Sequence, residues 1–173
     1  MKKYAFILMV LFVFNKTMAQ DSGFQNDFAG TFQYVSTQVQ SLAEAIPEDT
    51  YTWRPGEGVR SVHEVVLHVA SANYFFGQMI GAPPPAGIDP GKLAETVKGK
   101  AAIIDALQKS VAYIVNASKN ISNEDLDDKV EFFDGNQYSK RTVMLILLDH
   151  AGEHKGQLIA YARMNQITPP WSR

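Results

Sequence analysis

The stretch from Thr142 to Tyr161 constrains this chain more than any other. It contains no proline, and Val143, Leu147, His150, His154, Leu158 and Tyr161 recur at steps of three and four residues. That spacing lines one face of an α-helix. Two of the chain's four histidines therefore sit one turn apart in the middle of an apolar stripe. At i and i+4 the rings project side by side. There they can hold one metal ion between them, or stand as a pair of hydrogen-bonded polar core residues. The periodicity alone leaves both open.

Three further stretches carry a helical period. Phe24, Phe28, Phe32, Val35, Val39, Leu42 and Ile46 form the most regular stripe, with Asp21 or Ser22 as candidate caps and Pro47 as the stop. Ser61 and Glu64 have the spacing of a capping box. The second helix that follows them carries Val65, His68, Val69, Ala72, Phe76 and Met79 toward Gly81 and the run Pro83-Pro84-Pro85. His68 shares its inward face, whereas His63 falls in the first turn, off that face. Ala102 to Ser118 gives a third long helix, and residues 86–98 form a link with one short helical turn around Lys92 to Val97. Tyr51 and Trp53, in the proline- and glycine-bearing loop 47–58, either pack over the end of the helices or line a pocket mouth. Val130, Phe132 and Phe133 before Asp134-Gly135-Asn136 suggest a small hairpin or extended loop. With Trp171, the two phenylalanines are expected in the core rather than in an exposed patch.

Four amphipathic helices with uneven connections predict an all-α protein, an antiparallel four-helix bundle with that small hairpin before the last helix. A length of 173 residues suits one domain, here residues 20–173. In such a bundle helices two and four bring His68 to His150 and His154. Three neutral imidazoles on a divalent ion leave coordination positions open, the catalytic pattern. The ring nitrogens should then lie within about 3–4 Å of one another. His63 should stand apart at an exposed helix start, with Trp53 or Tyr161 bordering the opening.

Residues 1–19 read differently. Lys2 and Lys3 precede the apolar run Ala5 to Phe14, and Thr17-Met18-Ala19 supplies small residues for cleavage. This is a secretory signal pattern, and the apolar run is too short to span a bilayer. The expectation is a secreted or periplasmic protein with no stable membrane insertion after cleavage. Removing Lys2, Lys3 and Lys16, with no acid, leaves 13 Lys and Arg against 18 Asp and Glu, a formal charge of −5. An acidic domain without a basic run has no electrostatic footprint for nucleic acid. With no cysteine present, thiolate ligands and a cysteine nucleophile are excluded, so a metal must rely on His, Asp or Glu.

Other chemistry finds little support. His150 to Glu153-His154 matches the H-x-x-E-H string of inverted zinc peptidases, but no Asp or Glu follows His154 to serve as the further ligand. There is no G-x-S-x-G elbow, G-x-G-x-x-G or phosphate-binding loop. Gln157, Asp149 and Glu153 are candidates for supporting roles around the histidines.

Several of these residues together resemble the DinB-like (DinB/YfiT) family. They are Thr142-Val143-Met144 leading to His150-x-x-x-His154-Lys155-Gly156-Gln157, then Tyr161-x-Arg163 and Pro169-Pro170. Earlier in the chain they are Trp53-Arg54-Pro55, Arg60-Ser61-Val62, Glu64 and His68. The resemblance runs from about Phe24 to Trp171. Lys155 stands where an arginine is common, and Gln166 where a glycine is common. The resemblance implies a four-helix bundle with a metal triad at His68, His150 and His154, the three residues reached from periodicity. It implies a divalent ion, zinc or nickel, and a small-molecule substrate. The activity it implies is metal-dependent hydrolysis, with a metal-dependent thiol transferase or isomerase, or a non-catalytic binding or stress-response module, as alternatives. A homodimer is left open.

Overall fold

The computed structural model describes residues 23–172; the signal segment expected at 1–19 and the candidate caps Asp21 and Ser22 lie outside them. Helix α1 (Gly23–Ala45) buries Phe28, Phe32, Val35, Val39 and Leu42, as its stripe predicts. It stops before Pro47, which offers no amide to continue the ladder. Helix α2 (Val62–Met79) starts at Ser61, whose amide donates to the Glu64 carboxylate at 2.7 Å. It ends in a Schellman motif around Gly81, at φ 100°, with Gly81 N donating to Gln78 O and Ala82 N to Gly77 O.

From there the chain folds back along α2. The link carries a 3₁₀ turn at Pro90–Lys92 and the short helix α3 (Leu93–Thr96). Leu93 is buried, and Ser71 Oγ donates to Pro90 O at 2.7 Å. Helix α4 (Lys100–Asn120) begins at the same end as α2, and Lys100 Nζ caps the last carbonyls of α1, Glu44 O at 2.7 Å and Ile46 O at 2.8 Å. After α4, strands β1 (Lys129–Glu131) and β2 (Gln137–Ser139) pair antiparallel, Val130 opposite Tyr138, across a turn with Gly135 at φ 78°. Helix α5 (Lys140–Met164) follows at once, its Thr142 amide capped by Ser139 Oγ at 3.2 Å.

The long helices form the expected four-helix bundle with its hairpin before the last helix. Each of α1 and α2 packs against both α4 and α5, so α1 and α2 lie on one diagonal. Asn73 bonded to Ser110 at 2.9 Å and Tyr113 bonded to Ala82 O show that α2 and α4 run parallel. Lys155 on Gln38 and Arg141 over the Phe24 ring show the same for α1 and α5. Against these pairs α2 and α5 are antiparallel, as expected. The order is up, down, down, up. The link 80–99 makes this possible, because it spans the length of α2, about 27 Å at 1.5 Å per residue. Past α5, Gln166 adopts φ 61°, the left-handed conformation that explains a glycine preference at this position.

Candidate metal centre

His68 sits on α2 between core residues Val65, Val69 and Ala72, and faces α5. His150 and His154 face it from successive turns of α5. His68 Nε2 and His150 Nε2 are 3.0 Å apart, and His150 Nε2 and His154 Nε2 are 3.1 Å apart. Among the described residues these three alone form a cluster of metal-ligating type. The structure thus brings together the three histidines that periodicity aligns.

The proton positions at His154 follow from its neighbours. The Arg60 carbonyl can only accept, and it takes a hydrogen bond from Tyr161 OH at 2.9 Å. The phenolic oxygen in turn accepts from Gln157 Nε2 at 2.8 Å. Gln157 therefore turns Oε1 toward His154 Nδ1, 2.8 Å away, which must be the protonated nitrogen. His154 Nε2 is left with a bare lone pair aimed at the other two rings. This is the outer arrangement that fixes the tautomer of metal-binding histidines. Of the three supporting candidates only Gln157 takes the role; Asp149 and Glu153 are exposed and bond to none of the triad.

Burial pushes His68 and His150 down to about 4, with the positive charge of Arg60 and the neighbouring histidines adding to it. Both rings are neutral at pH 7, the state that donates to a metal. Phe76 packs on the His150 ring at 6.0 Å, and His154 is 4% exposed. His150 Nδ1 is buried without a hydrogen-bond partner. Converging nitrogens of neutral rings repel one another unless a proton or a cation lies between them. The donor set therefore fits a divalent ion better than a purely hydrogen-bonded core.

A cavity of about 390 Å³ opens beside His68, lined by Arg54, Val59, Arg60, Glu64, Ser71 and Pro90 among others. Trp53 and Tyr161 do not line it. Tyr161 is buried, its hydroxyl linking Gln157 to the Arg60 carbonyl in the hydrogen-bond chain from His154, and Trp53 packs edge-on against it at 5.3 Å. His63 also departs from expectation. It is half-buried, with Nδ1 3.0 Å from both Tyr51 O and Ser61 Oγ, because the loop 47–61 folds down over the start of α2. Tyr51 anchors that loop through its hydroxyl to Ala43 O at 2.6 Å. His63 faces a separate groove with Gly99 and Lys100, away from the triad. Phe133 and Trp171, expected in the core, are 65% and 40% exposed. The hairpin carries Phe133 outward, where it stacks on Phe75.

Comparison with known proteins bears on this arrangement. The model of the DinB superfamily matches residues 31–158. YjoA of Bacillus subtilis is 26% identical over 125 residues, 70% of this chain and 78% of that protein. The crystal structure of YjoA, a DinB-like protein, superposes with a TM-score of 0.67 at 22% identity, over 83% of this chain and 94% of that one. A DinB-like protein from Bacillus cereus gives 0.67 at 17% identity, over 84% and 95%. YfiT from Bacillus subtilis, described as a probable metal-dependent hydrolase with an unusual four-helix bundle topology, gives 0.65 at 13% identity, over 83% and 89%.

Proposed function

The chain belongs to the DinB superfamily, and on that premise we propose that it is a metal-dependent hydrolase of the secreted or periplasmic space, acting on a small-molecule substrate. His68, His150 and His154 hold one divalent ion, zinc or nickel. The observation that carries this reading is the convergence of three Nε2 atoms, with the proton of His154 held on the far side by Gln157. The description of YfiT as a probable metal-dependent hydrolase supports the reaction class. The signal pattern of residues 1–19 supports export.

A divalent ion in such a cradle supplies Lewis acidity and an activated water. The chain's own residues do the rest. The three rings stay neutral and present lone pairs to one point, and Gln157 stops His154 from turning. Phe76 packs at a tilt against the His150 ring and lends the site an apolar wall. The cavity beside His68 gives a substrate access, which favours an enzyme over a closed structural site.

Elemental analysis of untagged protein tests the ion, with about one per chain expected. Less than about a tenth of an ion per chain after incubation with zinc or nickel overturns the reading. Replacing His150 with alanine should abolish binding while the helical circular dichroism persists. A screen of esters, amides and phosphoesters, with and without chelator, tests hydrolysis.

A further inference from the structure

The charges around the cavity beside the triad do not balance. Glu64 is held through one carboxylate oxygen: its Oε2 accepts from the Ser61 amide at 2.7 Å, the Ser61 hydroxyl at 2.9 Å and the Arg54 guanidinium at 3.1 Å. Arg54 and Glu64 thus neutralise each other at one edge. Arg60 lines the same cavity as His68, and its side chain makes no ion pair or hydrogen bond among the described residues. Its main chain, in contrast, is held. The Arg60 carbonyl receives the Tyr161 hydroxyl at 2.9 Å, and the next residue, Ser61, begins α2.

The Arg60 main chain is therefore held at the rim by the same hydrogen-bond chain that orients His154, and its exposed side chain lines the cavity. Arg60 and His68 line one concave surface, whereas Glu153 is an exposed side chain on α5 that does not line it. A free guanidinium at a concave site, on a protein of net negative charge, is a local attractor for an oxyanion, which it can grip with two parallel N–H groups.

We propose that Arg60 is a specificity residue of this site, docking a carboxylate or phosphate group of the substrate so that the bond to be cleaved lies over His68, His150 and His154. The substrate is then a small organic anion rather than a neutral ester or amide. This rests on the metal-dependent reading above, and the test separates the two.

Cobalt(II) loaded into the full-length protein reports ligation through its visible absorption. Three hydroxamate probes share one metal-binding head and differ in their tails: acetohydroxamic acid is neutral, the monohydroxamate of succinic acid carries a carboxylate, and a third carries a phosphonate. The wild-type protein should bind a charged probe roughly tenfold or more tighter than the neutral one. Whichever tail binds tighter identifies the natural anion. Arg60→Gln should erase the preference and leave acetohydroxamate affinity within about twofold. Arg60→Lys should retain part of the preference, because it keeps the charge and loses the fork.

Equal affinities in the wild-type protein overturn the proposal. So does an Arg60→Gln variant that weakens all three probes alike, since that marks a structural role through Tyr161. Absence of the cobalt spectrum is instead the failure of the metal reading. The metal-free protein supplies an independent readout: titration with succinate should move the ring resonances of His68 in the wild type and not in Arg60→Gln. Unmoved resonances in the wild type count against Arg60 recognition.

Discussion

Replacing Gln157 with leucine probes the link between hydrogen bonding and metal affinity, because it removes one acceptor and keeps much of the side-chain volume. Gln157 Oε1 is the sole partner of His154 Nδ1, and His154 is 4% exposed, so water cannot readily replace it. A buried N–H left without an acceptor costs about 1–3 kcal/mol. For a domain of this size each kcal/mol moves the melting temperature by about 2–4 °C. The metal-free variant should therefore melt several degrees lower. Loss of such an outer partner also weakens metal binding about 10- to 100-fold, since the ring is free to turn and its lone pair is no longer aimed. Competition against a chelator of known affinity measures this directly. Gln157→Glu should retain most of the affinity, because a carboxylate still accepts from Nδ1. Tyr161→Phe should fall between wild type and Gln157→Leu, because it breaks the chain one link further out. A Gln157→Leu protein that binds metal within about twofold of wild type would refute the argument that this chain sets the donor nitrogen of His154.

Titration of the buried rings and two backbone positions give further tests. His68 and His150 have folded-state values of about 4 against 6.5 for a free imidazole, so between those values the unfolded chain binds more protons than the metal-free folded one. Their contribution to stability is whole above pH 6.5 and is lost as the pH falls toward 4; denaturant midpoints at pH 7 and 5 should show the drop, and His68→Gln/His150→Gln should reduce it, an unchanged slope counting against the assignment. A Cβ at Gly77 would overlap the hydroxyl and ring carbons of Tyr113, whose hydroxyl donates to Ala82 O. Gly77→Ala should destabilise by about 1–3 kcal/mol despite the better helix propensity of alanine, and a neutral result in chemical denaturation would show that Tyr113 repacks freely. Gln166→Gly should stabilise by about 0.5–1 kcal/mol, because left-handed backbone costs a side-chain-bearing residue more than glycine's extra freedom does; a loss of stability would contradict the φ of 61°.

What the sequence alone determined is what depends on near neighbours along the chain. A stripe such as Phe28, Phe32, Val35, Val39 and Leu42 has only one face to bury, and that face is set by the 3.6-residue turn. The Glu64 half of the capping box at Ser61, the stop at Pro47, the Gly81 terminator and the hairpin about Gly135 are local for the same reason. So is the alignment of His150 with His154, and the inward facing of His68 follows from its position between Val65 and Val69. Tertiary structure decided everything that needs two distant segments to meet. No period in residues 80–99 states that the link retraces α2 and sets α4 parallel to it; that depends on Leu93 and Ser71 finding partners along the way. His63 lies in an exposed-looking first turn, yet the loop 47–61 closes over it because Tyr51 reaches Ala43. Phe133 reads as a core residue by composition and stands outside because it lies past the end of β1, in the turn that Gly135 N closes onto Phe132 O, where it stacks on Phe75 instead of entering the core. Gln157 could be named as a supporting residue from its distance along the helix, but its orientation is imposed by Tyr161 and by the Arg60 carbonyl, which lies 101 residues from Tyr161. Arg60 belongs to the stretch Arg60-Ser61-Val62 that carries the family resemblance, but nothing local marks its charge as part of a site: an arginine before a helix is ordinary, and only the tertiary packing places it in the cavity beside His68.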